Sequence, residues 1–166
     1  ISYKNCFKAI VLKRLFKNDN KMNFTTLIFT ATYNEKNNIS LLLDKIISLN
    51  VQADILVIDD NSPDGTYQII KNYINKYSFI SCIKRNKKKG LDTAHKEAYN
   101  YAKKKGYEKF ISMDADLSHD PSELKKIDNL LNYFDFVIGS RYINGGKNKM
   151  IGLRFFLSVF GNLIIK

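Results

Sequence analysis

The chain has 166 residues, 45% of them apolar, and 27 basic residues against 16 acidic ones give it a formal charge of +11. This apolar content excludes disorder of the whole chain, and the length suits a single domain. Eight glycines without a period and two cysteines without a C-x-x-C pair exclude a collagen-like or disulfide-stapled protein and favour a reducing compartment. The positive charge favours anionic partners such as nucleotide phosphates, nucleic acid or an acidic membrane, although an A+T-biased genome would also supply many lysines.

The first residues of the chain, 1–21, are predicted to form a basic N-terminal extension. Five basic side chains interrupt its apolar residues, so it lacks the apolar core of a signal peptide. We expect a solvated extension, with a short amphipathic helix at a membrane surface as the alternative. No apolar run in the chain reaches the roughly 18 residues of a membrane-spanning helix. The working domain is predicted to cover residues 22–166, from Met22 before the first strand.

Short β-rich runs alternate with longer runs of helical spacing from Thr25 onward. The predicted strands are Thr25–Ala31, Asp54–Asp59, Phe79–Lys84, Lys109–Met113 and Phe134–Ile138. The predicted helices contain Ile39–Ile47, Thr66–Tyr77 and about Asp92–Lys104, and a further helix begins with Asp120 as N-cap and Pro121 at its first position. This alternation predicts an α/β fold with a mostly parallel sheet flanked by helices.

Polar residues follow four of the predicted strands, at the edge where ligands of open parallel sheets bind. They are Thr32-Tyr33-Asn34-Glu35, Asp59–Gly65, Asp114–Asp120 and Gly139–Tyr142. Asp114 and Asp116 come directly after a buried strand, where the chain bends and both carboxylates can reach one hard cation. Mg²⁺ and Mn²⁺ prefer such oxygens and commonly lie between carboxylates and a diphosphate. Helix capping by the two aspartates is the alternative.

Several classes of site are absent from the sequence. It has neither G-x-G-x-x-G nor G-x-x-x-x-G-K-[ST], which argues against dehydrogenases and P-loop NTPases. We expect His95 and His119 to lie on a loop or a helix surface, because neither stands beside a Cys or Ser nucleophile motif. The Lys-rich run 84–89 could form a nucleic-acid patch, but it lacks interleaved stacking aromatics.

The last segment, 150–165, is apolar apart from one polar stripe. Arg154, Ser158 and Asn162 recur every four residues and therefore share one helical face. A guanidinium and a hydroxyl one turn apart suit the phosphate head of a lipid. An ordinary core-facing helix with a solvated edge is the alternative.

Together these motifs resemble glycosyltransferase family 2, and within it the dolichol-phosphate mannosyltransferases. The motifs, in matching order, are Thr32–Glu35, Asp59–Thr66, Asp114–His119 and Gly139–Tyr142, with Gly145-Gly146 beyond. The resemblance runs from about Phe24 to Lys166. It implies a GT-A (Rossmann-like) fold that is truncated at its C-terminus, because relatives continue past the last segment. It also implies a metal-dependent, inverting transfer of mannose from GDP-mannose to a polyprenyl or dolichyl phosphate.

The resemblance assigns roles motif by motif. Contacts to the donor are implied for Ala31, Tyr33, Glu35, Ile58, Asp60, Asp114, Ala115, Asp116 and Arg141. The implied metal ligands for Mg²⁺ or Mn²⁺ are Asp114, Asp116 and Ser118, which stands where some relatives have a Gln. Asp116 and Arg141 are the implied catalytic residues, and Arg154 with Ser158 is implied to hold the acceptor phosphate. Residues 90–94 resemble a GLGTA loop in which Asp92 replaces a glycine that permits close backbone approach.

The resemblance also implies partners and a location. We expect a nucleotide-sugar donor, a polyprenyl phosphate, a membrane-anchoring subunit and no nucleic acid, at the cytosolic face of the endoplasmic reticulum or of a bacterial or archaeal plasma membrane. One alternative is a family 2 transferase that uses UDP-glucose, another nucleotide sugar or a non-lipid acceptor. Two further alternatives are a basic nucleic-acid-binding module and an inactive fragment.

Overall fold

Five strands form one sheet in the computed structural model, which describes residues 24–139 and the backbone of residues 11–13. The strands are β1 (Val11–Lys13), β2 (Thr26–Thr32), β3 (Ala53–Asp59), β4 (Ile80–Lys84) and β5 (Lys109–Ser112). Their order across the sheet is β1-β5-β2-β3-β4. The four longer strands run parallel, with Thr26 beside both Ala53 and Lys109, and β1 pairs antiparallel with β5. The polar loops that follow β2, β3, β4 and β5 therefore leave the sheet at the same edge.

Helices connect the parallel strands, as their crossover connections require. They are α1 (Ile39–Ser48), α2 (Thr66–Lys76), α3 (Leu91–Lys105) and α4 (Leu124–Leu130). A 3-10 turn, Pro121–Glu123, leads into α4, and Asp120 caps this turn by accepting a hydrogen bond from the Ser122 N–H at 3.0 Å. None of the described helices combines the length and the apolar character needed to cross a bilayer.

The sheet is buried on both faces because its central strands are almost continuously apolar. Alternate side chains of β2 and β3 point to opposite faces. Ile28, Ile55 and Val57 pack in one cluster with buried residues of α1, α2 and α4. Leu27, Phe29, Leu56 and Ile58 pack in the other with α3. Each fully buried Leu, Ile or Phe contributes about 1.5–3 kcal/mol, so this core fixes the strand ends on which the loops stand.

Helix α3 lies against the sheet through its smallest side chains. Ala94, Ala98 and Ala102 recur every fourth residue, and all three are buried. The helix ends at Gly106, whose φ of 81° lies in the left-handed region that favours glycine. Its first turn directly follows the loop after β4, so the packing of α3 also places that loop.

The predicted α/β class is confirmed, and four of the five predicted strands agree with the structure to within two residues at each end. The strand predicted over residues 134–138 is wrong, because this segment has only an isolated bridge at Phe136. In the described sheet, β1 takes the position beside β5 that a further strand would need. The amphipathic helix considered for the N-terminal extension is wrong at residues 11–13, which are β1. The division of the chain at residue 22 stays a prediction.

Candidate active site

Four loops meet at the carboxyl edge of the parallel strands. They are residues 33–38 after β2, 60–65 after β3, 85–90 after β4 and 113–120 after β5, and together we call them the site edge. Three backbone N–H groups of the first loop donate to side chains of the second loop or of the first residue of α2. These hydrogen bonds run from Asn34 to Ser62 Oγ, from Glu35 to Thr66 Oγ1 and from Lys36 to Asp64 Oδ2, each at 3.0 Å. The first two loops are therefore held together before any ligand binds.

Asp64 fastens the second loop to the start of α2. It accepts from the Thr66 hydroxyl at 2.6 Å and from the Thr66 N–H at 3.0 Å. Burial raises the pKa of Asp64, but the hydrogen bonds from Thr66 and from the Lys36 N–H outweigh it and hold the pKa below its ordinary value. Asp59, which is fully buried, accepts from the N–H and the hydroxyl of Ser62. These two aspartates shape the loop from within.

The predicted nucleoside contacts of the first loop lie on accessible positions of the site edge. Ala31 is half-buried at the end of β2, and Glu35 is half-buried and accepts a hydrogen bond from Asn38 Nδ2 at 2.8 Å. Tyr33 is 38% exposed, so its ring is open to a ligand. The Lys88 ammonium stands 3.6 Å from the centroid of that ring, which connects the first loop to the loop after β4.

The two donor contacts predicted at the end of β3, Ile58 and Asp60, are both buried. Ile58 is fully buried within β3 and packs in the cluster on the α3 side of the sheet, so its side chain is closed to a ligand. Asp60 is 6% exposed, and both of its carboxylate oxygens accept hydrogen bonds from the protein. Its donors are the Lys89 N–H at 2.8 Å, the Gly90 N–H at 2.8 Å and Arg85 Nη1 at 3.1 Å. A ligand that bonds to this carboxylate has to share or replace one of these donors.

Arg85 is a buried charge at the site edge, and beyond its place in the Lys-rich run 84–89 no role was predicted for it. It is 4% exposed and forms ion pairs with Asp60 at 3.1 Å and with Glu97 at 2.9 Å. Burial raises the pKa of Asp60, but the hydrogen bonds from Gly90, Lys89 and Arg85 lower it by more. The pKa therefore lies below its ordinary value. A sequence signal was present, since the chain has few arginines and this one directly follows a predicted strand, within the Lys-rich run 84–89.

The substitution of a glycine by Asp92 in the GLGTA-like loop does not strain the backbone. Asp92 lies in the first turn of α3, where a negative charge is favourable near the helix N-terminus. The residue in the left-handed region is Gly90, with φ of 89°. The glycine that the loop conformation requires is therefore present.

The two aspartates after β5 turn toward solvent. The Asp114 side chain is 46% exposed, Asp116 is exposed, and Ala115 between them is buried. Asp116 Oδ1 accepts from the Ser118 N–H at 2.9 Å, and Leu117 adopts a φ of 61° in the bend. Burial raises the pKa of Asp116, but hydrogen bonds from the Ser118 side chain and backbone and the field of His119 lower it more. The net effect favours the carboxylate that a cation needs.

His119 lies in the loop after β5, as one of the two predicted placements has it, but its side chain is buried at 3% exposure. Its Nδ1 accepts a hydrogen bond from the Asp114 N–H at 2.9 Å, and its Nε2 lies 3.4 Å from Asp114 Oδ2. The buried ring therefore holds the Asp114 backbone in place through this hydrogen bond. His95 on α3 is half-buried, with Nε2 3.4 Å from Ser112 Oγ and its ring edge against Phe29, and burial keeps its pKa below the ordinary value despite the nearby carboxylates.

The aspartates fit a hard cation that keeps other ligands besides the protein. Within residues 24–139, no group of three or more His, Cys, Asp or Glu side chains is arranged as a metal cage. The Ser118 N–H bonds to Oδ1 of Asp116 and not to Oδ2, and the Asp114 side chain is open to solvent. Mg²⁺ is commonly bound by one or two carboxylates, with waters and substrate phosphates as its remaining ligands. The Ser118 hydroxyl donates to Asp116. The donor set thus suits Mg²⁺ or Mn²⁺ bound together with a phosphate.

The remaining predicted site residues, Arg141, Arg154 and Ser158, lie outside the described residues. The structure brings together the predicted contacts of β2 and β3 at the site edge, with the aspartates after β5 at the same edge.

Comparisons with known proteins agree with this architecture. The family model described as Glycosyl transferase family 2 matches residues 27–161. Polyprenol monophosphomannose synthase of Mycolicibacterium smegmatis is 35% identical over 123 residues, which are 73% of this chain and 46% of that protein. Dolichol-phosphate mannosyltransferase of Pyrococcus furiosus is 37% identical over 123 residues, which are 72% of this chain and 34% of that protein.

A solved structure supports the fold. The crystal structure of S. aureus TarS 1-349 superposes with a TM-score of 0.52 at 23% identity, covering 64% of this chain and 32% of that chain. The chain spans less than half the length of the two relatives. The parallel sheet, its flanking helices and the family match confirm the expected GT-A type of fold. Because the family model covers most of the chain, this protein belongs to glycosyltransferase family 2.

Proposed function

We propose that the chain carries the donor-binding part of an inverting mannosyltransferase that uses GDP-mannose and a polyprenyl or dolichyl phosphate. The observation that carries the proposal is the pair of accessible aspartates after β5, Asp114 and Asp116, at the same sheet edge as Tyr33 and Glu35. This pair occurs in a chain of glycosyltransferase family 2 whose relatives are named for polyprenol and dolichol-phosphate mannosyl transfer.

In this proposal the donor lies along the site edge. Tyr33 and Glu35 contact the nucleoside, with the backbone of Ala31 and Ile58 beside it. Asp60 supports the loop after β4 through its hydrogen bonds from Lys89 and Gly90. The exposed fraction of Tyr33 and the fixed backbone of residues 34–36 support this assignment, because a rigid site loses little entropy on binding. Asp114, Ala115 and Asp116 then face the diphosphate.

The chemistry follows from the charges of the two substrates. An oxygen of the acceptor phosphate attacks the anomeric carbon, the bond between that carbon and the diphosphate oxygen breaks, and GDP leaves on the opposite side, so the configuration inverts. The acceptor phosphate is already an anion near neutral pH, so no strong general base is needed. Asp114 and Asp116, with Ser118 or water, would hold a divalent cation, which would neutralise charge on the leaving diphosphate. Arg141 stabilises the same leaving group, and catalysis depends mainly on positioning and electrostatics.

The acceptor defines where the reaction takes place. We propose that Arg154 and Ser158 hold the lipid phosphate at the cytosolic face of a membrane, with a membrane-anchoring subunit as a further partner. The charge of +11 then serves anionic lipids and phosphates rather than nucleic acid.

Calorimetric titration of the 166-residue chain tests the proposal. We expect GDP-mannose to bind more tightly with Mn²⁺ than without it, and UDP-glucose to bind at least about tenfold more weakly than GDP-mannose, which corresponds to about 1.4 kcal/mol. The Asp114→Asn/Asp116→Asn double variant should lose the Mn²⁺-dependent part of the affinity. A preference for UDP-glucose would contradict GDP-mannose as the donor and would leave the assignment to glycosyltransferase family 2 unchanged. Retention on DNA without any nucleotide binding would contradict the proposal.

Arg154→Ala is predicted to weaken use of the lipid acceptor and to spare the donor. Losing a charge-assisted hydrogen bond costs about 1.5–3 kcal/mol, so the KM for a short polyprenyl phosphate should rise about 10- to 100-fold. The measurement is initial-rate kinetics with each substrate varied in turn. Lys149→Ala, which removes a positive charge from the same part of the chain, is the matched control. An equal loss of GDP affinity in Arg154→Ala would show that the residue belongs to the donor site instead.

A further inference from the structure

The loop after β4 is organised around a buried guanidinium that the proposed reaction does not use. Arg85 donates to Glu97 through Nε and Nη2, at 3.0 and 2.9 Å, and to Asp60 through Nη1 at 3.1 Å. The same Nη1 lies 3.2 Å from the Gly90 carbonyl and 3.0 Å from the Thr93 hydroxyl. One side chain thus connects the end of β3, the turn 89–90 and the first turns of α3.

The turn at Lys89 and Gly90 is fixed from two directions. Both of its N–H groups donate to the Asp60 carboxylate, and its Gly90 carbonyl accepts from Arg85. The Asp60 and Arg85 side chains are 8% and 2% exposed, so water competes little for these hydrogen bonds. Because Asp60 is itself held by Arg85, the arginine determines the position of the turn both directly and through the carboxylate.

The position of this turn matters for the proposed donor site. Lys88, the residue just before the turn, places its ammonium 3.6 Å from the centroid of the Tyr33 ring. Tyr33 is a proposed nucleoside contact, and the turn therefore forms one wall beside it. A site whose walls are already in place loses less conformational entropy when the ligand binds.

We propose that Arg85 is a positioning residue of the nucleotide site, which holds Asp60 and the turn Lys89–Gly90 so that Lys88 stands against Tyr33 before the nucleotide binds. The inference rests on the proposed function and deepens it. The arrangement needs arginine, because its planar fork reaches Glu97 along one edge and Asp60 and Gly90 along the other. A lysine ammonium is a single point and cannot span both.

Amide hydrogen exchange followed by NMR tests the first half of the inference. In Arg85→Met, the Lys89 and Gly90 amides should exchange at least about tenfold faster than in the wild type, while amides of β2 and β3 keep their protection and show that the fold is intact. Arg85→Lys should be intermediate. Lys84→Met is the matched control, since this lysine lies over Tyr67, a ring outside the site edge. Unchanged exchange at both amides in Arg85→Met would overturn the inference.

Titration with GDP in the presence of Mn²⁺ tests the second half. The Kd for GDP should rise at least about tenfold in Arg85→Met, rise less in Arg85→Lys and stay unchanged in Lys84→Met. If Arg85→Met does not fold, Glu97→Gln takes its place, because its side chain is 39% exposed and the charge of Arg85 stays balanced by Asp60. Glu97→Gln should change exchange and affinity in the same direction by a smaller factor.

The outcomes separate the two proposals. A loosened turn with unchanged GDP affinity, in whichever variant folds, would overturn the positioning role and leave the proposed function intact. A wild-type chain that binds no nucleotide would contradict the proposed function, and the positioning role would fall with it.

Discussion

Asp116→Asn is expected to lower turnover by about 10²-fold or more at a fixed Mn²⁺ concentration. The substitution removes the negative charge that we assign to the cation and, through it, to the leaving diphosphate. It keeps the local structure, because the amide oxygen of asparagine can still accept the Ser118 N–H that Asp116 Oδ1 accepts at 2.9 Å. Initial rates with GDP-mannose and a short polyprenyl phosphate measure the effect over a series of Mn²⁺ concentrations.

The stability of Asp116→Asn should differ from the wild type by no more than about 0.5 kcal/mol, as is usual for exposed positions. Asp135→Asn removes an exposed carboxylate outside the site edge and should leave the rate unchanged. If Asp116→Asn turned over donor at the wild-type rate in saturating Mn²⁺, Asp116 would have no part in the reaction.

Asp60→Asn is expected to reduce the free energy of unfolding at pH 7 by about 3–5 kcal/mol. Removing the buried partner of this ion pair is costly, because Arg85, at 4% exposure, keeps only Glu97, whose side chain is 39% exposed. The new amide also places N–H donors against the Lys89 and Gly90 N–H groups, which now donate to Asp60 at 2.8 Å. Urea unfolding of both proteins measures the difference.

The difference should depend on pH in a defined direction. The pKa of Asp60 is lowered by folding, so its stabilisation is complete above the ordinary aspartate pKa of 3.8 and is lost as the pH falls through the lower pKa of the folded state. The wild-type advantage over Asp60→Asn should therefore be constant from pH 7 to about 5 and shrink below about pH 4. A gap that widened with acid would contradict the assignment, and Asp135→Asn again serves as the control.

The strands of the core were predictable because their apolar runs have no competing explanation. Residues 54–59 and 109–113 are bounded by turn-forming residues, and burial on both faces favours such runs in a parallel sheet. The strand predicted at 134–138 shows the limit of the same argument. Its alternating apolar residues match a strand, but Phe134, Phe136 and Ile138 are each about half exposed, since pairing depends on a neighbour that periodicity does not identify.

The location of the candidate site residues was predictable where they follow a strand end, and less so where it depends on contacts between loops. Asp114 and Asp116 were predicted because carboxylates two apart after a strand are unusual; the structure places them at the sheet edge with accessible side chains, and their role stays a prediction. The ion pair of Arg85 and Asp60 joins residues 25 apart in the chain. The burial of His119 within its loop was not predictable, because a single sequence does not reveal that its Nδ1 accepts a hydrogen bond from the Asp114 N–H.

The buried alanines of α3 link the packing of the core to the position of the loop after β4. Ala94, Ala98 and Ala102 let the helix approach the sheet closely, and the helix begins immediately after Gly90. A bulkier residue at Ala98 would lift the helix outward and carry its N-terminal end along with it. If the proposed function holds, a substitution at Ala98, two helical turns from Gly90, would therefore change donor affinity through the position of the loop after β4 and leave the proposed catalytic side chains unaltered.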